Sequence, residues 1–376
     1  MSITSVKKRT HYEVDMTNGN FFKKIVLFCL PLMFTGILQL LYNAADLIVV
    51  GQFSDEPDAL GAVGSTSALI NLIINLFMGL SVGSNVMCAR SFASKDANKL
   101  SKIVHTSITI SVICGFVLGI VGFIFARNFL QMMDNPIDLA VVYLKIYFIG
   151  MPFNMLYNFA ASILRGVGDT KRPLYYLIIC SIVNVVFDFV LVVILHKGIA
   201  GAAIATFIAQ TVCAILVTIQ LMFSKDVYQL TLSKIKFHLP VLKKIVQIGA
   251  PAGIQSTMYS IANIVLQTHI NAFGTQTIAS WSVYVKIDAL FWMAMAAIGA
   301  AITTFVGQNY GAHLYDRIQK GAKTALAIAL TMAVSLSVIL CFGGSYITKL
   351  FSSDPAIINQ CQSLILFLMP FYFSYC

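Results

Sequence analysis

Ten apolar stretches follow one another through this chain, each close to the twenty-odd residues that a helix needs to cross the hydrocarbon of a bilayer. They run approximately over residues 25–50, 59–87, 103–126, 139–164, 174–195, 199–222, 245–273, 278–306, 324–347 and 356–375. At membrane depth no water satisfies backbone N–H and C=O groups, so stretches of this kind must be helical. A chain of 376 residues that is 58% hydrophobic and only 11% charged is not a soluble globular domain. The expected fold class is an all-α polytopic membrane protein.

The charges lie between the stretches, almost all on one side. With the N-terminus inside, twenty Lys and Arg fall on the inner side, against Arg127, Lys197 and Lys349 outside. The inner set opens with Lys7, Lys8, Arg9, Lys23 and Lys24, and includes Lys225, Lys234, Lys236, Lys243 and Lys244 in the loop before the seventh stretch. This asymmetry sets the orientation. It also accounts for the net charge of +10 as topology, with no footprint for nucleic acid. The eight cysteines form no CxxC or Cys/His cluster, so they imply neither a zinc site nor a disulfide framework. The first twenty residues are too polar for a cleavable signal peptide.

Two carboxylates break this pattern. Asp188 sits within the fifth stretch, with Asn184 one helical turn before it. A carboxylate at that depth costs about 2.5–3.5 kcal/mol on insertion scales, so it faces protein or water, and Asn184 at i−4 shares its face. Asp46 ends a stripe of Thr35, Gln39, Tyr42 and Asn43 on one face of the first stretch. For Gln and Asn the alternative is an interhelical hydrogen-bond seam. For the two Asp residues the expected role is binding of a proton or cation. Similar stripes, serving either a cavity or helix contacts, are Asn154, Tyr157 and Asn158 near Pro152, and Gln255, Tyr259, Asn263, Gln267 and Asn271 in the seventh stretch. Asp288 and Lys286 lie in the eighth; two apart, they face different directions, and Asp288 is a candidate for touching substrate or ion. Lys145 is expected to snorkel towards Asp138, and Lys286 outward in the same way.

The chain is internally duplicated. Lys23-Lys24-Ile25-Val26 matches Lys243-Lys244-Ile245-Val246, and Pro31 and Asn43 match Pro251 and Asn263. Later, Asp134-Asn135-Pro136 resembles Ser353-Asp354-Pro355, and Met151-Pro152-Phe153 matches Met369-Pro370-Phe371. The paired prolines can kink their helices. One repeat holds six stretches, so both copies enter the membrane the same way round. The expectation is two six-helix lobes related by a pseudo-two-fold along the membrane normal, with a cavity between them. The expected divisions are a cytoplasmic tail at 1–19, a first lobe at 20–223, a cytoplasmic linker at 224–242 and an incomplete four-span second lobe at 243–376. Ten spans are present, and the last two of the second repeat are expected to be missing, as in a fragment.

The loop Arg165-Gly166-Val167-Gly168-Asp169 contains the GxGD element of intramembrane aspartyl proteases. That chemistry needs two carboxylates sharing a water. Asp169 is expected at the inner surface among three cations that keep it charged, whereas Asp46 and Asp188 lie deeper, so the protease is a remote alternative. The longer run RGVGDTKRP, followed by Asn184 and Asp188 and then by Gly198, Gly201, Ala205 and Thr206, resembles the multidrug and toxic compound extrusion (MATE) transporters. LYNAADLIVVGQF from Leu41 and Ala62-Val63-Gly64 resemble that family's first span and first outer loop, and the acidic residues Asp46 and Asp188 resemble those of its DinF-like branch.

The resemblance implies a twelve-helix antiporter, not an enzyme, that exports cationic amphipathic drugs or toxic metabolites in exchange for H⁺ or Na⁺ by alternating access. The implied coupling residues are Asp46 and Asp188, with Asn184 and Thr206 as neighbouring ligands and Na⁺ as a candidate metal at the same four. The expected substrate cavity comprises Gln39, Tyr42, Asn43, Asn154, Tyr157, Asn158, Gln255, Tyr259, Asn263 and Asp288. No cofactor is expected beyond the coupling ion. The expected partners are the lipid bilayer and small organic cations, with no nucleic acid, for a monomer in the cell membrane. The NorM-like branch adds acidic residues in the seventh and tenth spans, and this sequence lacks both, which puts a second-lobe coupling site in doubt. The alternative is a flippase for lipid-linked oligosaccharides, which would want a basic cavity that only Lys145 and Lys286 could supply.

Overall fold

The computed structural model describes residues 12–53, 59–131, 138–224, 226–349, 351 and 354–375. Lys7, Lys8, Arg9, Lys225, Ser353 and the run Asp134-Asn135-Pro136 lie outside these, as do the side chains of Ala62, Val63 and Gly64. The described chain is helical nearly throughout. In order the helices are α1 (Phe21–Phe53), α2 (Ala59–Ala93), α3 (Ala97–Gln131), α4 (Asp138–Ile149), α5 (Met151–Val167), α6 (Lys171–Asp188), α7 (Gly198–Phe223), α8 (Leu239–Asn271), α9 (Thr275–Gly311), α10 (Tyr315–Thr348) and α11 (Pro355–Leu368). A π-helical turn, Phe189–Ile194, continues α6, and a 3₁₀ segment, Met369–Tyr375, continues α11.

Among the described residues, eight helices are long and apolar enough to cross a membrane, or nine if α4 and α5 count as one bent span. The expected seventh stretch is α8, 33 residues long, which does not reach the same hydropathy. Its stripe of Gln255, Asn263, Gln267 and Asn271 dilutes the apolar run.

The paired prolines behave differently from one another. At Pro152 the fourth span breaks by 49° between α4 and α5, with the proline in the first turn of α5, where its missing N–H leaves no hydrogen bond unmade. Pro370 falls where α11 tightens to a 3₁₀ helix. Pro31 and Pro251 lie inside α1 and α8, which run on through them.

Taken in chain order, α1–α7 form a first group and α8–α11 a second; they meet chiefly along α2 with α8, α2 with α9 and α1 with α9, and α8 packs far more on α2 than on α9. The first group closes on a core of Leu144, Phe148, Met151, Met155 and Ala202. Phe28, Phe291, Ala301 and Phe305 form the core where α1 meets α9 and α10. Large apolar side chains such as Phe116, Ile120 and Ile124 are exposed on the outer face of α3, as expected of a surface turned to lipid. Between apolar helices in lipid there is little hydrophobic drive, so small residues that let backbones approach take over. Gly79 and Gly83 of α2 face the backbone of α8 at Gly249, Gly253 and Ile245. Gly115 of α3 does the same against Pro152, whose Cα leaves no room for an added Cβ. Gly79 with Gly83, and Gly115 with Gly119, which meets the Phe148 carbonyl, are GxxxG spacings, and both make helix contacts.

Replacing Gly115 by Val should force α3 away from the α4–α5 bend and destabilise the protein by about 1–3 kcal/mol. A fall in the thermal unfolding midpoint of the detergent-solubilised variant measures this, and an unchanged midpoint would show that the seam is loose.

Candidate ion-binding site

Asp46 of α1 meets α6 and α7 in the interior of the first group. Its Oδ2 accepts a hydrogen bond from Thr206 Oγ1 at 3.2 Å. Asp188 and Asn184, one turn apart on α6, are the other side chains that adjoin its carboxylate. All four are buried, none more than 5% exposed. The four residues that the sequence marked are thus brought together from three helices, one of them 160 positions away from Asp46.

The arrangement is incomplete in one respect. Asp46 Oδ1, both oxygens of Asp188 and both polar atoms of the Asn184 amide have no hydrogen-bond partner. Buried polar atoms are nearly always paired, and an isolated buried carboxylate carries a large desolvation cost. Two adjoining carboxylates without a countercharge therefore call for a proton or a cation between them. The donors on offer are carboxylate, amide and hydroxyl oxygens, a hard set that suits a proton or an alkali cation better than a transition metal. Among the described residues no group of three or more His, Cys, Asp or Glu could hold a metal ion. The α ladder of the fifth span ends at Asp188 itself and gives way to the π turn, in which Leu195 N–H reaches back to Val190 O at 2.9 Å. Such turns are uncommon and cluster at functional sites.

Beside the site lies a cavity of about 310 Å³. Gln39, Tyr42, Asn43, Asn154, Tyr157 and Asn158, the six cavity residues expected from this half of the sequence, all line it. Asn158 Nδ2 donates to Asn154 Oδ1 at 3.0 Å, which fixes part of the wall. Sequence reasoning missed Tyr147 and Gln210, which also line it, and Tyr143, which stacks on Tyr147 at 6.4 Å. The signal was available: Tyr143 and Tyr147, and Thr206 and Gln210, are each four apart in apolar runs.

The second group contributes less. Gln255 and Tyr259 line a shallow depression along α8 with Pro251 and Met258, and Asn263 lines neither cavity. Asp288 is held by its neighbours instead: Oδ2 accepts from Trp292 Nε1 at 2.9 Å and Oδ1 from Tyr372 OH at 2.5 Å. Lys286 lies over the Phe351 ring at 5.5 Å. Lys145 does not reach Asp138; its Nζ sits 5.3 Å from the Phe123 ring centre, and Asp138 pairs with Arg127 at 3.6 Å. An ammonium already embedded in the aromatic layer finds a ring closer than the interface.

The chain is similar to known proteins in sequence and in fold. The MatE family model covers residues 31–190 and 251–376. The chain is 27% identical over 342 residues to the probable multidrug resistance protein YoeA of Bacillus subtilis, a match that covers 88% of this chain and 74% of that protein. A crystal structure described as MATE in the straight conformation superposes with a TM-score of 0.89 at 26% identity, over 97% of this chain and 82% of the other. A second, described as the outward-facing conformation of a multidrug resistance MATE family transporter of the MOP superfamily, gives 0.88 at 25% identity with the same coverage.

The GxGD turn has a structural explanation. Gly168 adopts φ +104°, a left-handed conformation that ends α5. Asp169 follows and opens α6, its Oδ1 accepting from the N–H groups of Lys171 and Arg172, both at 3.1 Å. The sequence placed Asp169 at the inner surface among three cations, kept charged by ion pairing. It is fully buried, and Arg172 is its ion-pair partner, at 3.3 Å. Burial pushes its carboxyl up to about 6 against the pull of Arg172 and the two backbone donors.

Because the folded state holds this proton more tightly than the unfolded chain, whose ordinary value is 3.8, the linked stabilisation is full below about pH 4 and is lost as pH rises through 6. Between pH 4 and 7 the wild type should therefore lose up to about 3 kcal/mol relative to Asp169→Asn. Unfolding midpoints measured across that range give the two slopes, and parallel curves would rule out the raised value.

Proposed function

Because this chain belongs to the MatE family, we propose that it is a secondary active transporter that exports cationic amphipathic compounds in exchange for H⁺ or Na⁺. The observation that carries this reading is the buried pair Asp46 and Asp188, whose oxygens lack partners, beside a cavity lined by amides and aromatic rings. Asn184 and Thr206 complete the ion's shell. The inner excess of Lys and Arg puts the N-terminus in the cytoplasm of a multi-pass cell-membrane protein. Residues 20–223 and 243–376 act as the two lobes, joined by the cytoplasmic linker at 224–242.

The mechanism follows from charge. With the carboxylates ionised, the cavity favours a cation, and its amides and tyrosines bind the polar and aromatic parts of an amphipathic molecule. Arrival of a proton or Na⁺ from outside neutralises the pair. The organic cation then loses its electrostatic partner and leaves on the outer side. Each ligand lowers the affinity for the other by the same factor, which makes the exchange coupled. The residues that line the cavity include no Lys or Arg, which weighs against a lipid-pyrophosphate substrate.

In proteoliposomes loaded with a fluorescent organic cation, a proton or a sodium gradient imposed separately should drive efflux by the wild type. Asp188→Asn and Asp46→Asn should each lower that gradient-driven efflux by roughly 5–150-fold, the span of one ordinary coupling free energy. Efflux that ignores both gradients, or variants that transport at the wild-type rate, would remove the antiporter reading and favour the flippase.

A further inference from the structure

The beginnings of α1 and α8 and the ends of α2, α5 and α9 lie at one end of the bundle, because each helix crosses it once. At that end α9 is tied to the first group by side chains. Thr304 Oγ1 donates to Asn85 Oδ1 at 3.3 Å, and Gln308 Nε2 donates to Gly166 O at 3.1 Å. Both joints are fully buried on the α9 side, since Thr304 and Gln308 are each 0% exposed.

The short segment that precedes α1, residues 12–19, lies across this seam and bonds to both sides. On the side of α1–α7, Val14 N–H donates to Gly168 O at 3.0 Å, and Tyr228 OH donates to Glu13 Oε1 at 3.1 Å. On the other side, Met16 N–H donates to Gln308 Oε1 at 3.0 Å, and Asn309 Nδ2 donates to Met16 O at 3.0 Å. Arg317 reaches the same carbonyl through Nε at 3.2 Å and Gly19 O through Nη2 at 2.9 Å. The Met16 side chain is fully buried in the core that Phe28 shares with Phe291 and Phe305.

Gln308 is where these ties converge. Its single amide takes one bond from Met16 and gives one to Gly166, so it joins the segment before α1, α9 and the end of α5. The bonds described here end on backbone or on neutral amides and hydroxyls, apart from those of Glu13 and Arg317, which are made to a phenol and to carbonyls. Parting these named bonds separates no ion pair, and water can replace each of them at small net cost. A joint of that kind can hold one conformation and yet release within a working cycle.

We propose that residues 12–19 are the latch of a cytoplasmic gate, with Gln308 as the residue that carries closure, and that each transport turn releases it. The proposal rests on the alternating-access reading above and adds a location for the inner gate. Gln308 and Arg317 act as positioning residues; neither lines the cavity.

The test uses Asn71→Cys, an exposed position on the cavity wall, as a reporter in the whole chain. A membrane-impermeant maleimide is applied to inside-out and to right-side-out membrane vesicles, with the parent lacking the reporter as background. Gln308→Ala, and separately Arg317→Ala, should label severalfold faster from the cytoplasmic side, with labelling from the outside unchanged or slower. Equal cytoplasmic rates in both variants and the parent would overturn the latch. Faster labelling from both sides would also overturn it, since that is loosening of the whole bundle. The measurement applies no ion gradient, so its outcome is separate from the fate of Asp188 as a coupling residue.

Discussion

Placing two carboxylates in the apolar interior of a helix bundle, with too few partners to satisfy them, is the constraint on which the rest of this structure depends. Asp46 keeps one bond, from Thr206, and Asp188 keeps none. Folding tolerates that deficit only if something else supplies the countercharge. In the function proposed above the missing partner is the coupling ion, which would make the energetic defect of the fold its working part. The π turn that starts at Asp188 belongs to the same economy of placement: the helix departs from its regular ladder where the site is built.

Around that point the two ends of the bundle are treated differently. Midway along α2, Asn75 Nδ2 bridges to Ser260 Oγ of α8 at 3.2 Å. Further towards the end where α1 begins, Gly79 and Gly83 bring the two backbones into contact, and the ties of Gln308 and Asn85 follow. Contact between the two groups thus becomes tighter and more hydrogen-bonded in that direction. Neutral hydrogen bonds and small residues make this contact, as is common between helices in lipid.

The comparison of Asp46 with Asp288 shows how environment divides residues of one type. Both are carboxylates in apolar helices. Asp288 has a phenol and an indole on its two oxygens and is thereby a stable internal tie between α9 and the segment that ends the chain. Asp169, the third buried carboxylate, opens a helix and pairs with Arg172. Among the described residues, Asp46 and Asp188 are the carboxylates that adjoin one another with oxygens short of donors, and that difference, more than burial, singles out the site.

By itself the sequence determined the helical membrane class, because runs of apolar residues of that length admit no other backbone in lipid. It also determined the faces of individual helices, since a spacing of four fixes direction within one span: Asn184 with Asp188, and Gln39, Tyr42 and Asn43 along α1. Asn154, Tyr157 and Asn158 were legible for the same reason, and these three line the cavity with Gln39, Tyr42 and Asn43. What it could not determine was which faces meet. That Asp288 would find Tyr372, that Lys145 would find Phe123 in place of Asp138, and that Asp169 would be buried at a helix start depend on contacts between distant segments, as does the hydrogen bond that Gln308 accepts from Met16. Periodicity carries no information about such partners, because it describes one helix at a time, and only the packing of helix on helix decides them.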